Sequence, residues 1–231
     1  MLARLEDSFR RLSDFSSDLA HELRTPISNL MTQTQVALAR ARTADEYREI
    51  LYSNLEEYER LSQMTSDMLF LAKADNGLIA TRTEPVDLAS EVESLFAFYE
   101  ALAEERDVRL VLAGEGRARV DRDMLRRAIS NLLSNAIRHT PHGGEIRVHI
   151  SESGSGQTEL SVENPGSPIA PEHLLRLFDR FYRVDASRRK EGEGAGLGLA
   201  ITKSIVEAHV GSISASSKGG IFRFAFSVPA S

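Results

Sequence analysis

GEGAGLGLAI, residues 192–201, is the stretch on which the fold of this chain turns. Gly192, Gly194, Gly196 and Gly198 precede a run of helical character, so backbone amides and the positive end of a helix are free to face an anion. A glycine run ahead of a helix fits several nucleotide folds, and its neighbours must decide among them. Upstream, NLLSNAIRHT (131–140) puts Asn131 and Asn135 four residues apart on one helix face, with Arg138 a further turn along. Two amides facing one way either cap a loop or offer neutral oxygens to Mg2+ and hydrogen bonds to phosphate. ENPGSPI (163–169) reads as a turn after an apolar strand. FDRFYR (178–183) is an aromatic cluster before a charged stretch, 185–191, that reads as a mobile lid. Phe178, Phe181 and Tyr182 are equally readable as core. In this order the segments form a purine nucleotide site far better together than singly.

Around these segments the pattern predicts helices at 87–105, 121–139, 171–178 and 196–210, with strands at 108–113, 117–120, 144–151, 158–164, 211–216 and 221–228. Mixed helices and mostly antiparallel strands make an α+β sandwich. Its start follows from a change of texture after Lys73: Asp75, Asn76 and Gly77 stop a helix, and residues 82–85 read as extended linker. The expected organisation is a helical domain at 1–76, a linker at 77–85 and a nucleotide-binding domain at 86–231.

Before that boundary, Leu5, Phe9, Leu12, Leu19, Leu23, Ile27, Leu30 and Ala37 recur at spacings that mark the seam of a bundle helix over residues 2–40. Ile50, Leu51, Leu55, Tyr58, Leu61, Met64, Met68, Leu69 and Leu71 repeat the pattern over 45–74, after a connection at 42–45. Two such helices form an antiparallel hairpin, and pairing with a second copy into a four-helix bundle buries stripes that one hairpin leaves open. A homodimer through residues 1–76 is expected.

His21 stands mid-helix in HELRTP (21–26), with Ala20 and Leu23 apolar and Glu22, Arg24 and Thr25 not, so it should face water at the edge of the seam. A surface histidine usually does nothing. Pro26, however, removes a helix hydrogen bond at a cost of about 3 kcal/mol and predicts a kink beside it. Neutral imidazole accepts a phosphoryl group well when its other ring nitrogen is hydrogen-bonded, and Glu22 is placed to supply or relay that bond.

The 231 residues are 42% hydrophobic and 27% charged, which suits a packed chain of one or two domains. A formal charge of −6 argues against gripping nucleic acid phosphate, and the lack of cysteine excludes disulfides, thiolate metal sites and a cysteine nucleophile. No window approaches about 18 consecutive apolar residues. The chain opens inside a helical pattern, as if continuing from an upstream segment. His139 and His142 in HTPH are better read as loop histidines than as a metal site, for want of supporting ligands.

Five segments in this order resemble the cytoplasmic portion of bacterial two-component sensor histidine kinases. HELRTP matches the phosphoacceptor box, NLLSNAIRHT the asparagine box, ENPGSPI and GEGAGLGLAI the two glycine boxes, and FDRFY the phenylalanine box. The wording around FSSDLAHELRTP and ENPGSPIAPEHLLRLFDRFYRVDASR is further similar to heavy-metal sensors, particularly copper and silver sensor kinases. The resemblance implies a dimeric helical-hairpin domain followed by an α/β-sandwich ATP-binding domain of the gyrase, chaperone and histidine-kinase type. It implies that His21 is autophosphorylated from Mg2+-ATP, with Glu22 as acid/base partner and Thr25 positioning water when a response regulator is dephosphorylated. Asn135 would bind Mg2+ with Asn131 assisting, Arg138 would hold phosphate, and His139 would sit near the nucleotide. Gly194, Gly196 and Gly198 would cradle the phosphates, alongside Leu197 of the same box and Gly166, Phe181 and Tyr182 of the other boxes.

The chain departs from the family where Asn164 replaces an aspartate that accepts a hydrogen bond from the adenine amino group. An amide oxygen accepts the same bond without a charge, so affinity or purine selectivity is expected to loosen. The resemblance also implies phosphotransfer to a receiver aspartate, and an inner-membrane location through upstream segments. Two rival readings are an ATP hydrolase of the related gyrase group, which carries a water-activating glutamate where Asn131 stands, and a dimeric nucleotide-binding scaffold with little or no kinase activity.

Overall fold

A computed structural model describes residues 2–153, 156–184 and 195–231, with side chains from residue 17 onward except that of Asp18. The chain divides into two compact units, Met1–Phe70 and Leu71–Ser231. The first holds the long helix α1 (Leu2–Leu38) and most of α2 (Ala44–Asp75), joined by residues 39–43. The connection is earlier than 42–45 because Thr43 and Glu46 form a capping box. The Thr43 N–H donates to Glu46 Oε2 at 2.8 Å and the Glu46 N–H donates to Thr43 Oγ1 at 3.2 Å. The Glu46 carboxyl is held below its ordinary range, first by the Thr43 backbone N–H and then by the Thr43 hydroxyl. α1 runs on through Pro26, whose ring is buried.

Leu30, Ala37 and Met64 fill the interior of the hairpin, and polar pairs cross it. Asn29 Nδ2 donates to Glu57 Oε1 at 3.3 Å and Gln33 Nε2 to Ser53 Oγ at 3.0 Å. Ile27, Met31, Leu51, Leu55, Tyr58 and Leu69 stay exposed.

The second unit is an α/β sandwich. A five-stranded sheet in the order β2-β4-β5-β7-β6 comprises β2 (Arg109–Ala113), β4 (Glu145–Ser153), β5 (Gln157–Pro165), β6 (Ser212–Lys218) and β7 (Ile221–Pro229). All its pairings are antiparallel except β2 with β4, which is parallel. Helices α3 (Leu88–Glu105), α4 (Arg122–His139) and α6 (Gly198–Ala208) enclose a core of Leu88, Val92, Ile129, Leu132, Leu133, Ile146, Val148, Leu160, Val162, Phe224 and Phe226. Alternation of buried and exposed residues along β4 is why one sheet face meets these helices.

The extended stretch before α3 is partly a strand. β1 (Glu84–Asp87) pairs antiparallel with β3 (Arg117–Val120), and Asp87 then caps α3 by accepting from the Ser90 N–H. The helix expected over 171–178 closes early as α5 (Pro171–Leu174). Beyond it Phe178 turns inward to meet Phe224 edge to face, at 6.4 Å between ring centres, so the chain there follows core packing and not a helical period.

Candidate functional site

α4 begins where Asp121 accepts the Met124 N–H, and buries Leu125, Ala128, Ile129, Leu132, Leu133, Ala136 and Ile137. That packing leaves the Asn131, Asn135 and Arg138 side chains half-buried along the opposite margin. Asn131 is engaged within the protein: its Nδ2 donates to the Gly198 carbonyl at 3.0 Å and to Thr202 Oγ1 at 3.4 Å, tying α4 to the first turn of α6. A Cβ on Gly198 would stand 3.5 Å from the Asn131 amide carbon. Asn131 therefore positions the glycine-rich turn, while Asn135 lies one helical turn further along, half-buried.

Gly196 is the conformationally demanding glycine. Its φ of +72° is unfavourable for a side chain, and a Cβ there would lie 3.0 Å from the Phe181 backbone. Phe181 itself has a positive φ of 59°, and its N–H donates to the Gly196 carbonyl at 3.0 Å. The aromatic segment and the second glycine segment are thus fastened backbone to backbone. Leu197 next to them is buried and anchors the turn. Gly194 and the expected lid at 185–191 lie outside the described residues.

Asn164 is buried near the end of β5, and its Nδ2 donates to the Pro165 carbonyl at 3.0 Å. Gly166 follows with its N–H on the Gly220 carbonyl at 2.9 Å, and a Cβ there would lie 2.7 Å from the Phe222 ring. Tyr182 is held by its hydroxyl on His173 Nδ1 and by the Arg176 guanidinium, 4.2 Å from the ring centre.

At the far end of α4 the electrostatics are positive. Burial, then Arg106 and Arg183, depress the Arg138 pKa, with Tyr99 acting the other way. His139 is lowered by burial of its ring and then by Arg138, Arg183 and Arg106, although its residue surface is largely open. Burial and repulsion keep this imidazole neutral to lower pH than usual. His142 pairs with Asp107 at 3.1 Å, and no cluster of three metal-ligating side chains exists among the described residues.

In the hairpin unit His21 and Thr25 are exposed and Glu22 is half-buried. His21 and Thr25 are four residues apart, so they share a face of α1.

Sequence reasoning missed several groups that hold the nucleotide-binding unit together. Glu91, buried on α3, accepts from Arg122 Nε at 2.6 Å and Arg126 Nη1 at 2.7 Å, clamping α3 to α4. Buried His209 accepts the Asp121 N–H on Nε2 at 2.9 Å and meets the Ile205 carbonyl through Nδ1 at 2.8 Å. Asp121, immediately before an apolar periodic run, was readable as a helix cap; the partners of Glu91 and His209 lie too far along the chain for any spacing rule.

Two family profiles match the chain: His Kinase A (phospho-acceptor) domain over residues 11–77, and histidine kinase-, DNA gyrase B-, and HSP90-like ATPase over residues 120–231. The chain is 53% identical over 232 residues to the sensor histidine kinase CusS of Escherichia coli (strain K12), covering 100% of this chain and 48% of that relative. It is 54% identical over 219 residues to the probable sensor protein PcoS of Escherichia coli (95% and 47% covered), and 51% identical over 234 residues to the probable sensor kinase SilS of Salmonella typhimurium (99% and 47% covered). The chain thus spans about half the length of the curated relatives it matches. Among solved structures, the Acinetobacter baumannii histidine kinase AdeS aligns with a TM-score of 0.76 at 24% identity, covering 91% of this chain and 98% of that one. Histidine kinase ThkA in complex with response regulator protein TrrA aligns with a TM-score of 0.76 at 19% identity, covering 98% and 64%. At those identities the structural likeness speaks to fold alone. A phospho-acceptor hairpin and an ATPase-type sandwich, matched by two profiles that together span most of the chain, place it in the histidine kinase family.

Proposed function

We propose that this chain is the kinase core of a two-component sensor, organised as a phospho-acceptor domain at 1–76, a linker at 77–85 and an ATP-binding domain at 86–231. The observation that carries the reading is the pairing, in one chain, of a water-facing His21 beside Glu22 with a glycine turn braced by Asn131 and Phe181. The ring nitrogen of His21 that bears the lone pair attacks the γ-phosphorus of ATP in line. The N–P bond forms as the bond to the bridging oxygen breaks, and ADP departs. Glu22 orients the ring through the other nitrogen, whose proton stays on the phosphorylated ring or passes to the Glu22 carboxylate.

The residues present suit Mg2+-ATP. Asn135 would hold Mg2+, Arg138 and His139 would face the phosphates, Gly194, Gly196, Leu197 and Gly198 would supply the cradle, and Asn164, Gly166, Phe181 and Tyr182 would line the purine side. Mg2+, when bound, neutralises charge on the triphosphate. Asn164 keeps its oxygen for an exocyclic amino group because its amide nitrogen is already engaged by Pro165.

Exposed Ile27, Met31, Leu51, Leu55 and Tyr58 support burial against a second copy, giving a homodimer with a four-helix bundle. Phosphate then passes from His21 to an aspartate of a response regulator, and Thr25, one turn on, would position water for the regulator's dephosphorylation. The resemblance to heavy-metal sensor kinases supports a metal stimulus, with copper or silver as the favoured ions. The sensing and membrane-spanning parts would lie upstream; no helix among the described residues is long and apolar enough to cross a membrane.

Incubation with γ-labelled ATP tests the reading. Acid-labile, base-stable label on the wild type and none on His21→Gln is expected. Label that persists in His21→Gln, or never appears on the wild type, rejects it; in the second case retained nucleotide binding would favour the scaffold reading.

A further inference from the structure

The corner where α3 ends is built with unusual care for a surface turn. The chain reverses through Asp107, which takes a left-handed φ of 51° although it is not glycine. The Asp107 N–H donates to the Glu104 carbonyl at 2.9 Å and the Val108 N–H to the Ala103 carbonyl at 2.8 Å, closing the helix end. Two further contacts fasten this corner to the loop after α4: the Gly143 N–H donates to the Asp107 carbonyl at 2.8 Å, and the Asp107 carboxylate meets His142 at 3.1 Å. The consequence is that Arg106, the residue before the reversal, is held across the end of α4, where its Nη1 donates to the Arg138 carbonyl at 3.3 Å.

The ordinary reading of that bond is a cation capping the negative end of a helix. It leaves unexplained why the cation is added where Arg138 and His139 already stand, both depressed by burial and then by neighbouring cations, Arg106 and Arg183 among them. The Asp107 carboxylate of this corner faces His142, and no ion pair among the described residues joins Arg106 to a carboxylate. Crowded cations of one sign are tolerated where a polyanion binds, and an exposed guanidinium using one N–H on a carbonyl has others to offer.

We infer that Arg106 is a further positioning residue for the triphosphate of the nucleotide, acting beside Arg138 and His139 at the end of the asparagine-bearing helix. The inference rests on the ATP-binding reading above. Arg106 is reached from a different helix, so its contribution is a field and a hydrogen-bond fork at the phosphate tail, with no part in holding the base.

The full chain is titrated with Mg2+-ATP and with AMP at several salt concentrations, as wild type, Arg106→Ala, Arg106→Lys and the surface control Lys218→Ala. Arg106→Ala is expected to weaken ATP roughly three- to tenfold and AMP by less than about twofold, and to flatten the salt dependence of ATP binding. Arg106→Lys should recover most of the loss, and Lys218→Ala should match wild type. Unchanged ATP affinity with a lowered melting temperature would make Arg106 a helix cap alone and overturn the inference. Equal weakening of ATP and AMP would also overturn it, since the pocket as a whole would then have been disturbed. A wild type that binds no ATP defeats both this inference and the kinase reading. A wild type that binds ATP with the expected Arg106 effect but never labels His21 defeats the kinase reading alone.

Discussion

The hairpin and the nucleotide-binding unit use apolar residues in opposite ways. The sandwich completes its own core: Leu88, Val92, Ile129, Leu132, Leu133, Ile146, Val148, Leu160 and Val162 are all essentially sealed from water. The hairpin buries Leu30, Ala37 and Met64 but leaves Leu51 67% and Tyr58 58% exposed. Its interior is also less well satisfied. The buried side-chain polar atoms lacking a hydrogen-bond partner among the described residues, Gln33 Oε1, Arg42 Nε and Asn54 Oδ1, all belong to it. One unit therefore seals its own core, and the other leaves apolar side chains that the proposed dimer would cover.

The largest effect should come from removing that cover. Leu51→Glu combined with Leu55→Glu would withdraw four leucines from a symmetric interface. At about 1.5 kcal/mol each this amounts to about 6 kcal/mol, or roughly four powers of ten in dimer affinity. Light scattering at micromolar concentration should then report a monomer, with nucleotide binding by the other unit intact. A double variant that stays dimeric would break the comparison.

Next in size is the sealed core. Ile129→Ala should cost about 3 kcal/mol in the unfolding of the nucleotide-binding unit, against less than about 1 kcal/mol for Leu51→Ala measured on the monomeric hairpin. Denaturant titration of each unit separates the two.

Asp121 links α4, the approach to β1 and α6 through one cap, so Asp121→Ala should destabilise by about 1 kcal/mol. Burial opposes ionisation of its carboxyl, but the N–H groups of Arg82 and Met124, with His209 nearby, outweigh it and hold the pKa below the ordinary 3.8. A depressed folded-state pKa gives stability that is complete above the ordinary value and is lost as pH falls through the lowered one. Below about pH 4, then, the wild type should lose stability more steeply than Asp121→Asn, as followed by circular dichroism.

The smallest effect should be Asn54→Leu. Replacing a buried amide whose oxygen has no partner by an apolar group of similar volume should raise the hairpin's melting temperature slightly, by under about 1 kcal/mol in stability. A decrease would mean that the amide is satisfied once the hairpin is covered, which sharpens the contrast between the units.

Much of this was legible along the chain because the decisive signals are local. Hydrophobic period gave both long helices and the helices and most strands of the sandwich, and residue type at close spacing marked His21, Asn131, Asn135 and the glycine turn. β1 escaped notice because a short strand with a proline in it, Glu84–Asp87, is stabilised by its partner β3 and not by its own pattern. The helix expected over 171–178 stops at Leu174, and Phe178 beyond it meets Phe224, a partner too distant along the chain for a local period to mark.

By itself, then, the sequence determined the family, the order of its two domains and the residue types at the site, since each depends on neighbours a few positions apart. Only the tertiary structure decided that Asn131 braces Gly198, that Asn164 turns its amide nitrogen to Pro165, and that Arg106 lies across the end of α4. The first and last of these join residues distant along the chain, brought together by a core whose packing no local pattern specifies. The second depends on which way an amide faces, and its buried surroundings fix that.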